Sequence, residues 1–299
     1  MERLSFKQED AQRIAEELDS TILRTIPTRR GSALIISNGY RKQILKIANL
    51  GNNETEQHIM PARSWGINNE ASILRDLPTG IAPALEAFSH DDTNRTIYSA
   101  TEYIDGIPAV CINHSLPPEK VIRGLIAAVH HLHLVDILHG DIQPENVLFL
   151  RGDGNESQAD TIKGLPIDFE LSVNTSEPVQ TLPGLYHYRS PDVAAELLDG
   201  ELCTLSIAEE TFCVAASALA IVTKNHPVEY RTGVLSRSDR LKQIAKAEYS
   251  TAGALPDYER LALSIKAILE TPAHRRPSTL PELEDALNPV LDLSENLKV

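Results

Sequence analysis

Between Val135 and Leu150 the chain runs apolar, then polar, then apolar again: VDIL, HGDIQPEN, VLFL. Short apolar runs bounded by turn residues read as buried strands. Strands on both sides fix the loop between them. Any fold that forms must therefore present Asp141 and Asn146, five positions apart with Pro144 between them, from one tethered loop. An Asp so placed can act as a base or orient a hydroxyl. An Asn amide oxygen is a hard ligand suited to Mg²⁺. Both residue types are also common in plain turns, so the loop alone decides nothing. A similar arrangement follows in LPIDFELS, an apolar strand with Asp168 at its end. Asp168 with Asn146 could hold a divalent ion that also touches phosphate oxygens.

The N-terminal third is mixed. The spacing of Ala11, Ile14, Ala15, Leu18 and Leu23 predicts a helix over Glu9–Leu23. Two strands, Ala33–Ile36 and Gln43–Ala48, are joined by Ser37–Tyr40, whose Asn38-Gly39 pair is a hairpin signal. A helix over Asn69–Leu77 and a strand over Thr96–Ile104 follow. The remainder is mostly helical. Pro117–Leu134 carries the stripe of a core-facing helix, and Glu209–Thr223 is apolar nearly all round, hence central. Tyr258–Leu269 and Leu280–Leu287 read as amphipathic helices, and Gly51–Glu56 and Arg151–Lys163 as exposed loops. Strands first and helices after predict an α+β fold with a boundary near Ile104–Pro108. The expected division is 1–24 as a helical extension, 25–104 as a small strand-rich lobe and 105–299 as a mainly helical lobe.

Composition narrows the function classes. The chain has 299 residues, 42% of them apolar, enough for a large core. Its 42 acidic against 28 basic residues give a net charge of −14. That balance argues against nonspecific binding to nucleic acid or to an anionic membrane. The three cysteines, Cys111, Cys203 and Cys213, form no CxxC and read as small apolar core residues in a reducing, cytoplasmic setting. The charged first residues do not read as a signal peptide, and no apolar run reaches the roughly 18 residues of a spanning helix. His130, His131 and His133 lie on a predicted amphipathic helix without Cys or acidic partners at ligand spacing, a poor metal site.

The motifs then fall into one order. HGDIQPENVLF resembles the H-R-D-x-x-x-x-N catalytic loop of protein kinases, and IDFE resembles their D-F-G. QILKIA resembles V-A-I-K and supplies Lys46, 95 positions before Asp141. INNEASILRDL supplies Glu70 to hold that Lys. SATEYIDG resembles the hinge strand, with Thr101 as gatekeeper and the backbone of Glu102 and Ile104 for adenine. LYHYRSPDV resembles the A-P-E end of an activation segment, and ILETPAHRRPS the late motif whose Arg pairs with its acid, so Asp192 is expected to pair with Arg276. Glu210 stands where the family usually has Asp. The resemblance covers roughly Thr25 to Pro289 and implies the two-lobed protein-kinase-like fold.

It also implies roles, because phosphoryl transfer needs positioning and charge neutralisation more than covalent chemistry. ATP would be bound by Lys46, Gly31, Glu102, Ile104 and Leu148. Glu70 would hold Lys46, Asn146 and Asp168 would hold Mg²⁺ or Mn²⁺, and Asp141 would orient the attacking hydroxyl and take its proton. The expected function is a divergent Ser/Thr protein kinase acting on a protein substrate. A pseudokinase that binds a regulatory partner, or a small-molecule kinase of the aminoglycoside or choline type, is the alternative.

The departures are specific. TIPTRRGSA offers only Gly31 where G-x-G-x-x-G is expected, with Arg29 and Arg30 as substitute charge. Gly140 replaces the Arg that pairs with a phosphorylated segment, which suggests activity not gated that way. Gln143 replaces a Lys that touches the γ-phosphate. Glu170 replaces the last Gly of D-F-G. Glu56 is a second candidate for the partner of Lys46.

Overall fold

The computed structural model describes residues 6–28, 31–50, 60–112, 116–150, 162–175, 186–199, 205–228 and 236–296. The chain divides into two compact units. One is Met1–Asp105 with Asp168–Leu171, and the other is Gly106–Ile167 with Ser172–Val299.

The first unit is a five-stranded antiparallel sheet with two helices. In chain order these are α1 (Gln8–Glu17), β1 (Thr21–Thr28), β2 (Gly31–Ser37), β3 (Lys42–Asn49), α2 (Met60–Asp76), β4 (Leu85–Asp91) and β5 (Thr96–Glu102), and the strand order is β1-β2-β3-β5-β4. Side chains alternate across each strand, so one sheet feeds two cores. Leu34, Ile36, Leu45, Ile47, Tyr98 and Ala100 face Ala11, Ile14 and Ala15 of α1. Ala48 and Ile97 pack with Ile67 of α2 in the second core. Lys46, between Leu45 and Ile47, thereby faces the α2 side. The hairpin is closed by Asn38, whose Oδ1 accepts from the N–H groups of Tyr40 and Arg41 at 3.1 and 3.0 Å.

Three expectations fail here. The helix predicted to Leu23 stops at Glu17, and Leu23 lies exposed in β1. Asp19, at φ 50°, turns the chain, and the β-branched run Thr21, Ile22, Thr25, Ile26, Thr28 pairs with β2. A boundary at residue 24 therefore falls inside a strand, and α1 shares its core with the sheet. α2 also begins well before Asn69, and β4 was not anticipated at all.

The second unit is helical around α5 (Ile207–Thr223), whose residues from Glu209 to Thr223 are all buried. α3 (Pro118–His133), α4 (Pro191–Leu198), α6 (Arg237–Ala245), α7 (Glu259–Glu270) and α8 (Leu280–Asn296) complete it. α8 outruns its predicted end because Leu291 continues the buried stripe Leu280, Leu283, Leu287. Short strands frame the polar loop: β6 (Gly106–Pro108), β8 (Val147–Leu150) and β9 (Gly164–Pro166) form one sheet, and β7 (Ile137–Leu138) pairs with β10 (Val173–Asn174). Cys213 is buried in α5 as expected, but Cys111 is exposed; Cys203 lies outside the described residues. No helix among the described residues is long and apolar enough to cross a membrane.

Candidate active site

In the first unit a single ammonium meets three carboxylates. Lys46 Nζ lies 2.6 Å from Asp168 Oδ1, 3.0 Å from Glu70 Oε1 and 3.2 Å from Glu170 Oε1. β3 delivers Lys46 and α2 delivers Glu70. The turn after β9 delivers the two others, with Asp168 in the left-handed region at φ 68°, where Asp is among the few residues tolerated. Burial opposes the charge on Lys46, but Asp168, Glu70 and Glu170 outweigh it and hold the amine well above its usual range. Burial pushes the Glu70 carboxyl up to about 7; Lys46 pulls it down, while Asp168 and Glu170 add to the rise. Side-chain exposure is 13% for Lys46, 4% for Glu70 and 10% for Glu170, against 42% for Asp168. Asp168 is thus the carboxylate of the cluster that a ligand can reach.

The α2 helix is tied to this cluster at several points. Glu70 Oε1 also accepts the Phe169 N–H at 3.2 Å, and Asn69 Nδ2 donates to the Glu170 carbonyl at 3.3 Å. Arg63, buried, donates to the carbonyls of Ile47 and Ser32 at 3.0 and 2.6 Å. It anchors the N-terminal half of α2 to β3 and β2.

In the second unit the loop after β7 closes on Asp141. Asn146 Nδ2 donates to the Asp141 carbonyl at 3.0 Å and to its Oδ2 at 3.2 Å, and Gln143 Nε2 donates to the same Oδ2 at 3.0 Å. With its amide nitrogen spent on Asp141, Asn146 has its amide oxygen to offer a cation. His139 is fully buried and bonds backbone: Nδ1 faces the Asp141 N–H at 3.3 Å and Nε2 the Ile167 carbonyl at 2.9 Å. Those two bonds assign the proton to Nε2.

Beneath the loop lies a buried polar network. Gly140, at φ 80°, takes a backbone conformation that side chains other than Asn and Asp rarely adopt. Its N–H donates to Glu210 Oε1 at 2.6 Å, and its carbonyl accepts from Arg189 Nη2 at 2.5 Å. Glu210 Oε2 faces His133 Nε2 at 2.9 Å, and Glu209 lies 3.9 Å from Arg189. Burial opposes the charge of Arg189, but Cys213, Glu209 and other neighbours raise its pKa overall. Farther out, Arg276 Nη2 binds Asp192 Oδ2 at 2.6 Å, the predicted pair, although Asp192 is half exposed at 51%.

The expected site residues fall into two sets. Lys46, Glu70 and Asp168 converge in one unit, and Asp141 and Asn146 in the other. Leu148 is half buried in β8, between Pro108 and Leu165. Glu102 closes β5; its N–H is used by the Ala84 carbonyl at 2.9 Å, and Ile104 follows beyond the strand. Gly31 pairs with Thr28 at the tip of the β1–β2 hairpin. Arg29, Arg30 and Glu56 lie outside the described residues. Sequence reasoning missed Glu170 as a partner of Lys46, Gln143 as a partner of Asp141, and the roles of Arg63, Arg189 and His133. None of them had a sequence signal: Gly66, which the structure puts inside α2, precedes the helix predicted over Asn69–Leu77.

No family model matches the chain. It is similar to serine/threonine-protein kinase DCLK3 of Mus musculus, 33% identical over 111 residues, which is 35% of this chain and 13% of that protein. It is also similar to calcium/calmodulin-dependent protein kinase cmkB of Emericella nidulans, 28% identical over 147 residues, 46% of this chain and 35% of that protein. The matched parts are thus no more than about a third of the length of these relatives. Among solved structures, the Cydia pomonella granulovirus kinase PK-1 superposes with a TM-score of 0.62 over 95% of this chain and 99% of its own, at 18% identity. The chain has the fold of the protein-kinase-like superfamily. In this kinase-like chain the sheet-rich unit carries the Lys46–Glu70 pair, and the helical unit carries the HGD…N loop.

Proposed function

We propose that the chain is an ATP-dependent phosphotransferase, a divergent Ser/Thr protein kinase using Mg²⁺ or Mn²⁺. One observation carries the reading: the Lys46 ammonium is held by both the α2 glutamate and the Asp168 carboxylate. Lys46 would bind the α and β phosphates, with Glu70 keeping it in place. The donors fit a hard cation: Asp168 is partly exposed, Asn146 has an amide oxygen to give, and the Lys46 cluster holds more carboxylates than ammonium groups. Magnesium held by Asp168 and Asn146 would neutralise charge on the phosphate oxygens. Asp141 would receive the substrate hydroxyl and its proton, its carboxylate kept in one orientation by Gln143 and Asn146. Adenine would meet the Glu102 carbonyl, the Ile104 backbone and Leu148, and Gly31 would lie near the phosphates. The similarity to Ser/Thr kinases supports a protein hydroxyl as acceptor over an aminoglycoside or choline.

The pseudokinase reading rests on Gln143, which spends its amide on Asp141 where the family supplies a cation. Thermal shift with ATP and Mg²⁺, followed by labelled-phosphate transfer to a generic basic protein, separates the two. Stabilisation with transfer supports the enzyme. Stabilisation without transfer supports the binding module. The absence of both effects would overturn the nucleotide-site assignment.

A further inference from the structure

Glu170 occupies a place that the surrounding helix is shaped to leave. A Cβ added at Gly66 would fall 2.9 Å from Glu170 Oε2 and 3.3 Å from both its Cβ and its Cδ. Gly66 sits inside α2, where glycine is a poor residue: it lowers helix stability relative to alanine through backbone entropy. The missing side chain opens a notch, and Glu170 lies in it with only 10% of its side chain exposed. From that notch its Oε1 reaches Lys46 Nζ at 3.2 Å, while the Asn69 amide holds its carbonyl at 3.3 Å.

We propose that Glu170 is a positioning residue for Lys46, a second carboxylate working beside Glu70 and seated in the notch left by Gly66. The role rests on the phosphotransferase reading. Were Asp168 to hold a metal ion, it would give up part of its hold on Lys46. Glu70 from α2 and Glu170 from the turn then hold the ammonium from two elements. The residue that stands in place of the last Gly of D-F-G becomes part of the lysine's support. The hydrogen bonds from Phe169 and Asn69 dock α2 against the same turn.

Two measurements on the full chain test this. The first is a stability cycle of Gly66→Ala, Glu170→Gly and the double variant, and it needs no nucleotide. In the Glu170→Gly background, Gly66→Ala should raise Tm by about 2 °C, the gain expected of alanine in a helix. In the wild-type background it should fail to raise Tm, because the new methyl displaces Glu170. Equal shifts in both backgrounds would overturn the seat. The second is the KM for Mg·ATP in Glu70→Gln, Glu170→Gln and the double variant. Each single change should raise KM by less than about fivefold, with kcat changed less. The double should exceed the product of the singles by roughly tenfold, as expected of groups sharing one partner. A double variant no worse than Glu70→Gln alone would overturn the positioning role. If the wild type binds no nucleotide at all, the phosphotransferase reading and this role for Glu170 fall together, while the stability cycle still decides the seat.

Discussion

Replacing Glu210 with alanine should cost the helical unit about 4 kcal/mol, roughly the loss expected when two buried polar groups lose their partner. The figure follows from what the carboxylate touches. Glu210 is 1% exposed, its Oε1 accepts the Gly140 N–H at 2.6 Å, and its Oε2 faces His133 at 2.9 Å. Alanine would leave both groups buried without a partner, at roughly 1–3 kcal/mol each. Glutamine should cost about half as much, since its oxygen still accepts from Gly140. Urea denaturation followed by far-UV circular dichroism reads the loss, because most of the helix lies in this unit. Trp65, the only tryptophan, lies on α2 in the sheet unit, so its fluorescence should move far less. A loss below about 1 kcal/mol for alanine, or equal losses for alanine and glutamine, would refute the argument that Glu210 fixes the residue before Asp141.

Other outcomes follow from the same geometry. Glu70 titrates near 7 in the folded chain against 4.5 ordinarily, so the folded state takes up a proton between those values. Its contribution therefore favours folding at low pH and is lost as pH rises from 4.5 toward 7, by on the order of 2–3 kcal/mol; Glu70→Gln should flatten that slope in pH-dependent melts. Arg276→Ala should destabilise more than Asp192→Ala. The guanidinium also lies over Phe212 at 5.0 Å and bonds the Thr271 carbonyl at 2.5 Å, whereas Asp192 is half solvated; urea midpoints would show the order. Asp141→Asn should keep Tm within a few degrees while cutting phosphate transfer by about a thousandfold, as the loss of a general base does.

Much of the site could be read along the chain because its parts carry fixed offsets. Lys46 was found from its distance to Asp141, Glu70 from the helix that follows, and Asp192–Arg276 from two short motifs. The helical unit was legible because α3, α5 and α7 show clear apolar stripes. What escaped was tertiary. The His133–Glu210 contact joins residues 77 apart in the chain, and no local pattern announces it. β1 was mistaken for the end of a helix because Leu18 and Leu23 continue the spacing of α1, while the β-branched run that decides the matter overlaps them. Glu170 was read only as the loss of a glycine. Its partner in shape, Gly66, precedes the helix that the spacing predicts over Asn69–Leu77, so the spacing hides the notch.

The proposed function requires Lys46, Glu70, Asp168, Asp141 and Asn146 to serve one phosphate transfer. Incubating the pure chain with γ-labelled ATP, Mg²⁺ and a basic protein, beside an Asp168→Ala variant of unchanged fold, tests it most directly. The account predicts labelled protein with the wild type and none above background with the variant. Equal labelling by both, or nucleotide-dependent stabilisation of neither, would contradict it.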